Sequence, residues 1–181
     1  MIAYAITDPS TLSFDTLSSD LQRIKAKGAT MILYRDKGAE DYDERAVAFV
    51  SAAREAGFER ILLHNRPELA LALGAQGVHL SSDRMDLLSK IGRMPLLSVV
   101  STHHLSEALK AQESGASIVT LSPLYASPGK GTPLGEKRFE EIVRQLSIPV
   151  IALGGILGGQ EIDQAMALGA AGFASIRYFS R

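Results

Sequence analysis

Arg35 and Lys37 stand two residues apart in the run YRDKG at 34–38, on the continuation of an apolar segment, so both can face one side while Asp36 points away. Such a pair can clamp a diphosphate, the guanidinium as a bidentate fork and the ammonium as a mobile point charge; the alternative is a solvated charged turn. Gly154-Gly155 follow another apolar run, PVIAL at 149–153, and their bare backbone N–H groups, with the nearby turn Ser175, Ile176, Arg177, suit an oxyanion. A glycine pair can also simply make a tight turn. His64 and His103 offer imidazoles that titrate near neutral pH and can move protons. A three-histidine metal site with His79 is the competing assignment, against which His79 reads as a hydrogen-bonded lining histidine. Finally, SPLYASPGKGTPLG at 122–135, with three Pro and three Gly, carries Ser127 and Lys130 and reads as a lid, or else as a variable surface loop.

The elements that must position these residues announce themselves through a recurring phrase. Gly28-Ala29 precedes MILY, Gly74-Ala75 precedes GVHL, Gly115-Ala116 precedes SIVTL, and Gly169-Ala170 precedes AGFASI. Each marks the end of an amphipathic helical stretch, a glycine able to cap it, and a short strand-forming run. Four more apolar runs lie between them: IAYAI at 2–6, RILL at 60–63, LLSVV at 96–100 and PVIAL. Helical spacing fills the gaps, as in Phe14, Leu17, Leu21 and Ile24 before Gly28. Near-continuous apolar strands alternating with helices indicate a parallel sheet buried on both faces. Eight such units predict a minimal (β/α)8 (TIM) barrel occupying 1–181 as one domain, its eighth helix absent or reduced to a stub; an open doubly wound sheet is the rival. A missing helix would leave an apolar flank, and a twofold homodimer using Tyr178 and Phe179 is the expected remedy.

In such a barrel the site lies at the carboxyl ends of the strands. Tyr34, Asn65, Ser101 and Thr102 fall there, along with a rim of cations, Arg35, Lys37, Arg66, Arg84, Lys130 and Arg177. Over the whole chain, 19 Lys and Arg oppose 20 Asp and Glu, so no global field would hold a nucleic acid or an anionic membrane; anion binding must be local. The absence of cysteine excludes disulfides, thiolate metal sites and cysteine nucleophiles. No apolar run approaches a membrane span and nothing resembles a signal peptide, so a cytoplasmic location is expected.

Taken in order, AITD at 5–8, YRDKG, PELALALGAQGVHL at 67–80, SVVSTH at 98–103, SPLY at 122–125, IPVIALGGI at 148–156 and the final GFASI resemble the thiamine phosphate synthase family, including its thiazole tautomerase (TenI-like) branch. The resemblance implies a small barrel that binds thiazole phosphate, its phosphate at Gly154, Gly155 and Ser175 to Arg177. It places the diphosphate-binding cations on Arg35 and Lys37, the lid lysine on Lys130, and the family's Ser-Thr-His on Ser101, Thr102 and His103. Synthases join the thiazole to hydroxymethylpyrimidine diphosphate, so the expected partner is a phosphorylated thiazole or pyrimidine. The family's two magnesium aspartates fall on Asn65 and Arg84, and its glutamine before the aromatic falls on Leu33. No cofactor is therefore expected, since Mg²⁺ needs hard oxygen ligands. That loss favours the tautomerase branch, whose acid/base histidine nevertheless falls on Pro123, leaving His64 or His103 as substitutes. An active synthase and a catalytically silent phosphate-binding barrel are the alternatives.

Overall fold

The strands form where the apolar runs predict, and the computed structural model describes residues 1–180 of the chain. They are β1 (Ile2–Ile6), β2 (Met31–Tyr34), β3 (Ile61–His64), β4 (Gly77–Leu80), β5 (Leu97–Thr102), β6 (Ile118–Leu121), β7 (Val150–Leu153) and β8 (Gly172–Ser175). All pair in parallel with their neighbours in sequence, and β8 closes on β1, with Tyr4 opposite Ala174 on one side and Met31 on the other. Closure excludes the open sheet. The protein is a TIM barrel.

Helices α1 (Leu17–Ala26), α2 (Tyr42–Glu55), α3 (Pro67–Ala72), α4 (Leu88–Ile91), α5 (Leu105–Glu113), α6 (Gly135–Val143), α7 (Gly159–Ala167) and α8 (Arg177–Ser180) alternate with the strands. At the Gly-Ala junctions the glycine reverses the chain in the left-handed region, with φ +87° at Gly28. The economy of the chain lies in α3 and α4, of six and four residues, the latter preceded by a 3-10 segment at Ser82–Leu87. Among the described residues no helix is long and apolar enough to cross a membrane.

Pleating divides the core in two. Tyr4, Ile6, Met31, Leu33, Leu62, Val99, Ile118, Ile151 and Ala174 point into the barrel, while residues of opposite parity, among them Ile32, Leu63, Val78 and Val119, pack outward against the helices. Continuing the inward parity past each strand end generates the site: Asp8 from β1, Arg35 and Lys37 from β2, Ser81 from β4, His103 from β5, Ser122 from β6.

Within the described residues α8 runs over Arg177–Ser180, its Phe179 buried and its Tyr178 partly so. Phe179 is 1% exposed and stacks on Phe173, ring centroids 5.7 Å apart, and Tyr178 meets Phe173 edge-on at 5.3 Å. Arg23 Nη1 donates to the Phe179 carbonyl at 3.0 Å and Lys27 Nζ to that of Tyr178 at 3.1 Å. Of the two residues expected to meet a second copy, Phe179 is thus taken up by this chain's own β8, while Tyr178 stays partly exposed. The exposed large apolar side chains among the described residues share no element: Met1 precedes β1, Val47 is on α2 and Leu71 on α3.

Candidate functional site

At the carboxyl end of the barrel the strand ends surround a cavity of about 480 Å³, large enough for a small phosphorylated ligand. One side is cationic. Arg35 and Lys37 both line it, as their spacing predicts, and the 122–135 loop brings Lys130 to the same space with Ser127. None of these three cations has an acidic ion-pair partner among the described residues. Burial, then the charges of Arg35 and Lys37, hold the Lys130 ammonium below its usual range, the mark of positive charge crowded together without compensation. Two other rim cations do not join them: Arg66 pairs with Asp43 at 3.1 Å, and Arg84 turns to Asp86 at 3.6 Å.

The opposite side is a cradle of backbone. Gly154 (φ +100°) and Gly155 (φ +73°) sit in the left-handed region, where a side chain is strained. There is also no room for one: a Cβ on Gly154 would meet the Pro123 backbone at 2.7 Å, and one on Gly155 would meet Tyr125 Cβ at 2.5 Å. Glycine here lets β7 turn tightly under the β6 loop. The N–H groups of Gly155, Ile156 and Arg177 donate to no backbone carbonyl among the described residues, so they remain available to an anion. Ser175 Oγ donates to the Ile156 carbonyl at 3.0 Å and accepts from the Tyr178 N–H at 3.1 Å, locking the two turns together beside Ile176 and Arg177.

Between these sides stand imidazoles. His64 faces the cavity, and burial, then Arg35 and Lys37, push its pKa down to about 4. His103 lines the rim with Nδ1 3.1 Å from Glu107 Oε2, and its backbone N–H donates to the same oxygen at 2.8 Å. The ionised carboxylate only accepts, so it holds the proton on Nδ1 of the neutral ring and leaves Nε2 as the basic atom. His79 is the lining histidine expected, bonded to Tyr4 and Ser101 deep in the barrel and not grouped into a metal site.

Three residues predicted for the site point elsewhere. Tyr34 has outward parity and stacks between Tyr42 and Phe49, at 4.7 and 5.0 Å; desolvation by burial, then Asp36, raises its phenol to about 12. Thr102, also outward, is fully buried and donates to the Thr120 carbonyl at 2.9 Å. Asn65 (φ +55°) ties two loops together, its amide donating to Ser81 Oγ and its oxygen accepting from Ser81 N–H, both at 3.0 Å. Conversely, Asp8, Ser81, Asp83 and Ser122 line the cavity although the sequence reading gave none of them a role. The inward parity of Asp8 and Ser81 was the available signal, whereas Asp83 lies in the 3-10 segment, where strand alternation no longer applies.

The donor set does not fit the magnesium site of the family in its usual form. Asp8 accepts from Ser10 N–H at 2.9 Å and from the Ser10 hydroxyl, and so is taken up by its own turn; Asp83 lies three strands away, its carboxyl held below the usual range by the neighbouring Ser81 hydroxyl and its own N–H. No group of three metal-ligating side chains gathers among the described residues.

Fold and cavity together define a TIM barrel whose strand-end cavity has the glycine turn of β7 and the turn after β8 on one side and a cluster of cations on the other. The profile of the thiamine monophosphate synthase (TMP-TenI) family matches residues 3–179, and the chain belongs to that family. It is 32% identical over 180 residues to the thiamine-phosphate synthase of Chloroflexus aurantiacus, covering 96% of this chain and 82% of that one. It is 34% identical over 181 residues to the putative thiamine-phosphate synthase 2 of Aquifex aeolicus, covering 97% and 96%. Among solved structures it superimposes on a thiamine phosphate pyrophosphorylase from Pyrococcus furiosus with a TM-score of 0.82 at 26% identity, covering 97% of this chain and 85% of that one.

Proposed function

We propose that the chain binds a thiazole phosphate, with the phosphate in the Gly154–Gly155 and Ser175–Arg177 cradle, and that it is an enzyme of the thiazole tautomerase type. The observation that carries this reading is the inventory of the cavity: imidazoles face it, while Asn65 and Arg84, at the positions of the family's magnesium aspartates, bring no carboxylate to it. Tautomerisation needs only that a proton leave one ring atom and another arrive elsewhere on the ring. In this reading Nε2 of His103, steadied by Glu107, takes the first, and its conjugate acid returns the second. His103, just past the end of β5, lies two strands from the cradle that follows β7, whereas His64, at the end of β3, lies across the barrel.

A second reading, an active synthase, is favoured by the uncompensated cluster of Arg35, Lys37 and Lys130, which suits a diphosphate leaving group, and by the names of the relatives. Paired assays separate the two. Interconversion of carboxylated thiazole phosphate tautomers, lost in His103→Gln, is the expected result; Mg²⁺-stimulated release of diphosphate from hydroxymethylpyrimidine diphosphate plus thiazole phosphate, abolished by chelation, would overturn it. For the cradle itself, Gly155→Ala should weaken thiazole phosphate binding at least tenfold by calorimetry, because the new methyl group displaces Tyr125 and the turn.

A further inference from the structure

From the cavity floor inward, the barrel interior holds a short chain of polar groups surrounded by Ile, Leu, Val and Met, with His79 itself reaching the floor. Tyr4 Oη lies 2.9 Å from His79 Nδ1, and His79 Nε2 lies 2.8 Å from Ser101 Oγ, which in turn lines the cavity. We infer that Tyr4 and His79 act as a positioning pair that fixes the Ser101 hydroxyl as a hydrogen-bond donor into the cavity, and so select ligands that present an acceptor, such as an unprotonated ring nitrogen or a carboxylate oxygen, to its floor.

The direction of the chain follows from satisfying each buried group. Tyr4 is wholly buried, and its hydroxyl has no partner other than His79 among the described residues. A proton on Nδ1 would donate to the phenol oxygen and leave the phenol hydrogen without an acceptor, which costs a buried hydrogen bond. An imidazolium is excluded by burial, which with nearby His64 and Arg35 takes the His79 pKa down to about 3; burial likewise keeps the Tyr4 phenol protonated. The phenol therefore donates to Nδ1, the ring proton sits on Nε2, and Nε2–H donates to Ser101 Oγ. With that lone pair engaged, the Ser101 hydrogen must go elsewhere. Its register neighbour Thr120 does not take it, since Thr120 Oγ1 is buried without any hydrogen bond. The cavity is the remaining direction.

This inference rests on the reading of the cavity as a ligand site, and the experiment separates the two. Long-range proton–nitrogen NMR on the ¹⁵N-histidine-labelled chain should show His79 as the Nε2–H tautomer; the Nδ1–H tautomer would overturn the inference outright, with or without a ligand. In Tyr4→Phe, which keeps the ring volume, the tautomer should become mixed. Thiazole phosphate affinity should then fall about fivefold, while inorganic phosphate, held by the cradle, binds as before. In a Ser101→Ala background Tyr4→Phe should add nothing, because the donor it orients is gone. An equal loss in that background would show that Tyr4 acts through the fold alone and would also overturn the inference. A wild-type chain that binds phosphate and not thiazole phosphate would defeat the functional reading instead, leaving the tautomer to decide this one.

Discussion

At the scale of the residue, the cavity is governed by groups kept neutral or left unpaired. His64 and His79 remain uncharged in the folded chain down to about pH 4 and 3, whereas in the unfolded chain a histidine protonates near 6.5. Below pH 6.5 the unfolded state therefore binds more protons than the folded one, so stability falls with pH, by up to ~1.4 kcal/mol per pH unit for each histidine. Urea unfolding should give a clearly lower midpoint at pH 5 than at pH 7, with the difference reduced in His64→Gln; a flat profile between those values would contradict the assigned environments. The same scale shows what the sequence could and could not disclose. Arg35 and Lys37 were legible because two-residue spacing on a strand fixes a common side. Tyr34 and Thr102 sit at equally suggestive strand ends, yet a shift of one residue sends a side chain to the helix layer. Tyr4 gave no sign at all, since a tyrosine among Ile2, Ala3, Ala5 and Ile6 reads as a strand former until its histidine partner is known.

Among the elements, the 122–135 loop is divided into a fixed neck and an exposed tip. Leu134 N–H donates to the Pro123 carbonyl and Gly135 N–H to that of Leu124, at 2.9 and 3.1 Å, and Leu124 is fully buried. Beyond this neck, Ser127 to Gly131 includes a turn closed by Lys130 N–H on the Ser127 carbonyl at 3.1 Å, and that turn carries Lys130 to the cavity. Proteolysis should therefore nick the tip near Lys130 and not the neck, and thiazole phosphate should protect it. Cleavage at Leu124, or protection absent under saturating ligand, would mean that the loop does not close on the site. The Gly-Ala junctions made the eight strand positions readable, since capping glycine and strand-forming run are both local signals. The neck was not readable, because it depends on contacts across the loop that no spacing reports.

For the whole molecule, the aromatic turn at the end of the described chain determines how the barrel is sealed. Phe179→Asp would place a carboxylate against Phe173 and remove a buried ring, so it should destabilise the isolated chain by ~3 kcal/mol or more, measured by thermal unfolding. Sedimentation run alongside distinguishes this from an interface role: a variant that only dissociates while its monomer keeps full stability would return the aromatic pair to a contact between copies. The eighth strand came directly from the pattern. The inward face of the turn after it did not, because the sequence shows which side chains are apolar and not which side of a short turn faces the sheet. The division of the barrel into an inner core, an outer core and a rim belonging to neither has a consequence for how such a chain changes over generations. Asn65 and Arg84 occupy loops beyond the strands, bonded to neighbours on the rim and packed into neither core. Neither position contributes apolar packing to the barrel, so substitutions that alter the charge and hydrogen bonding of the mouth can leave both cores as they are.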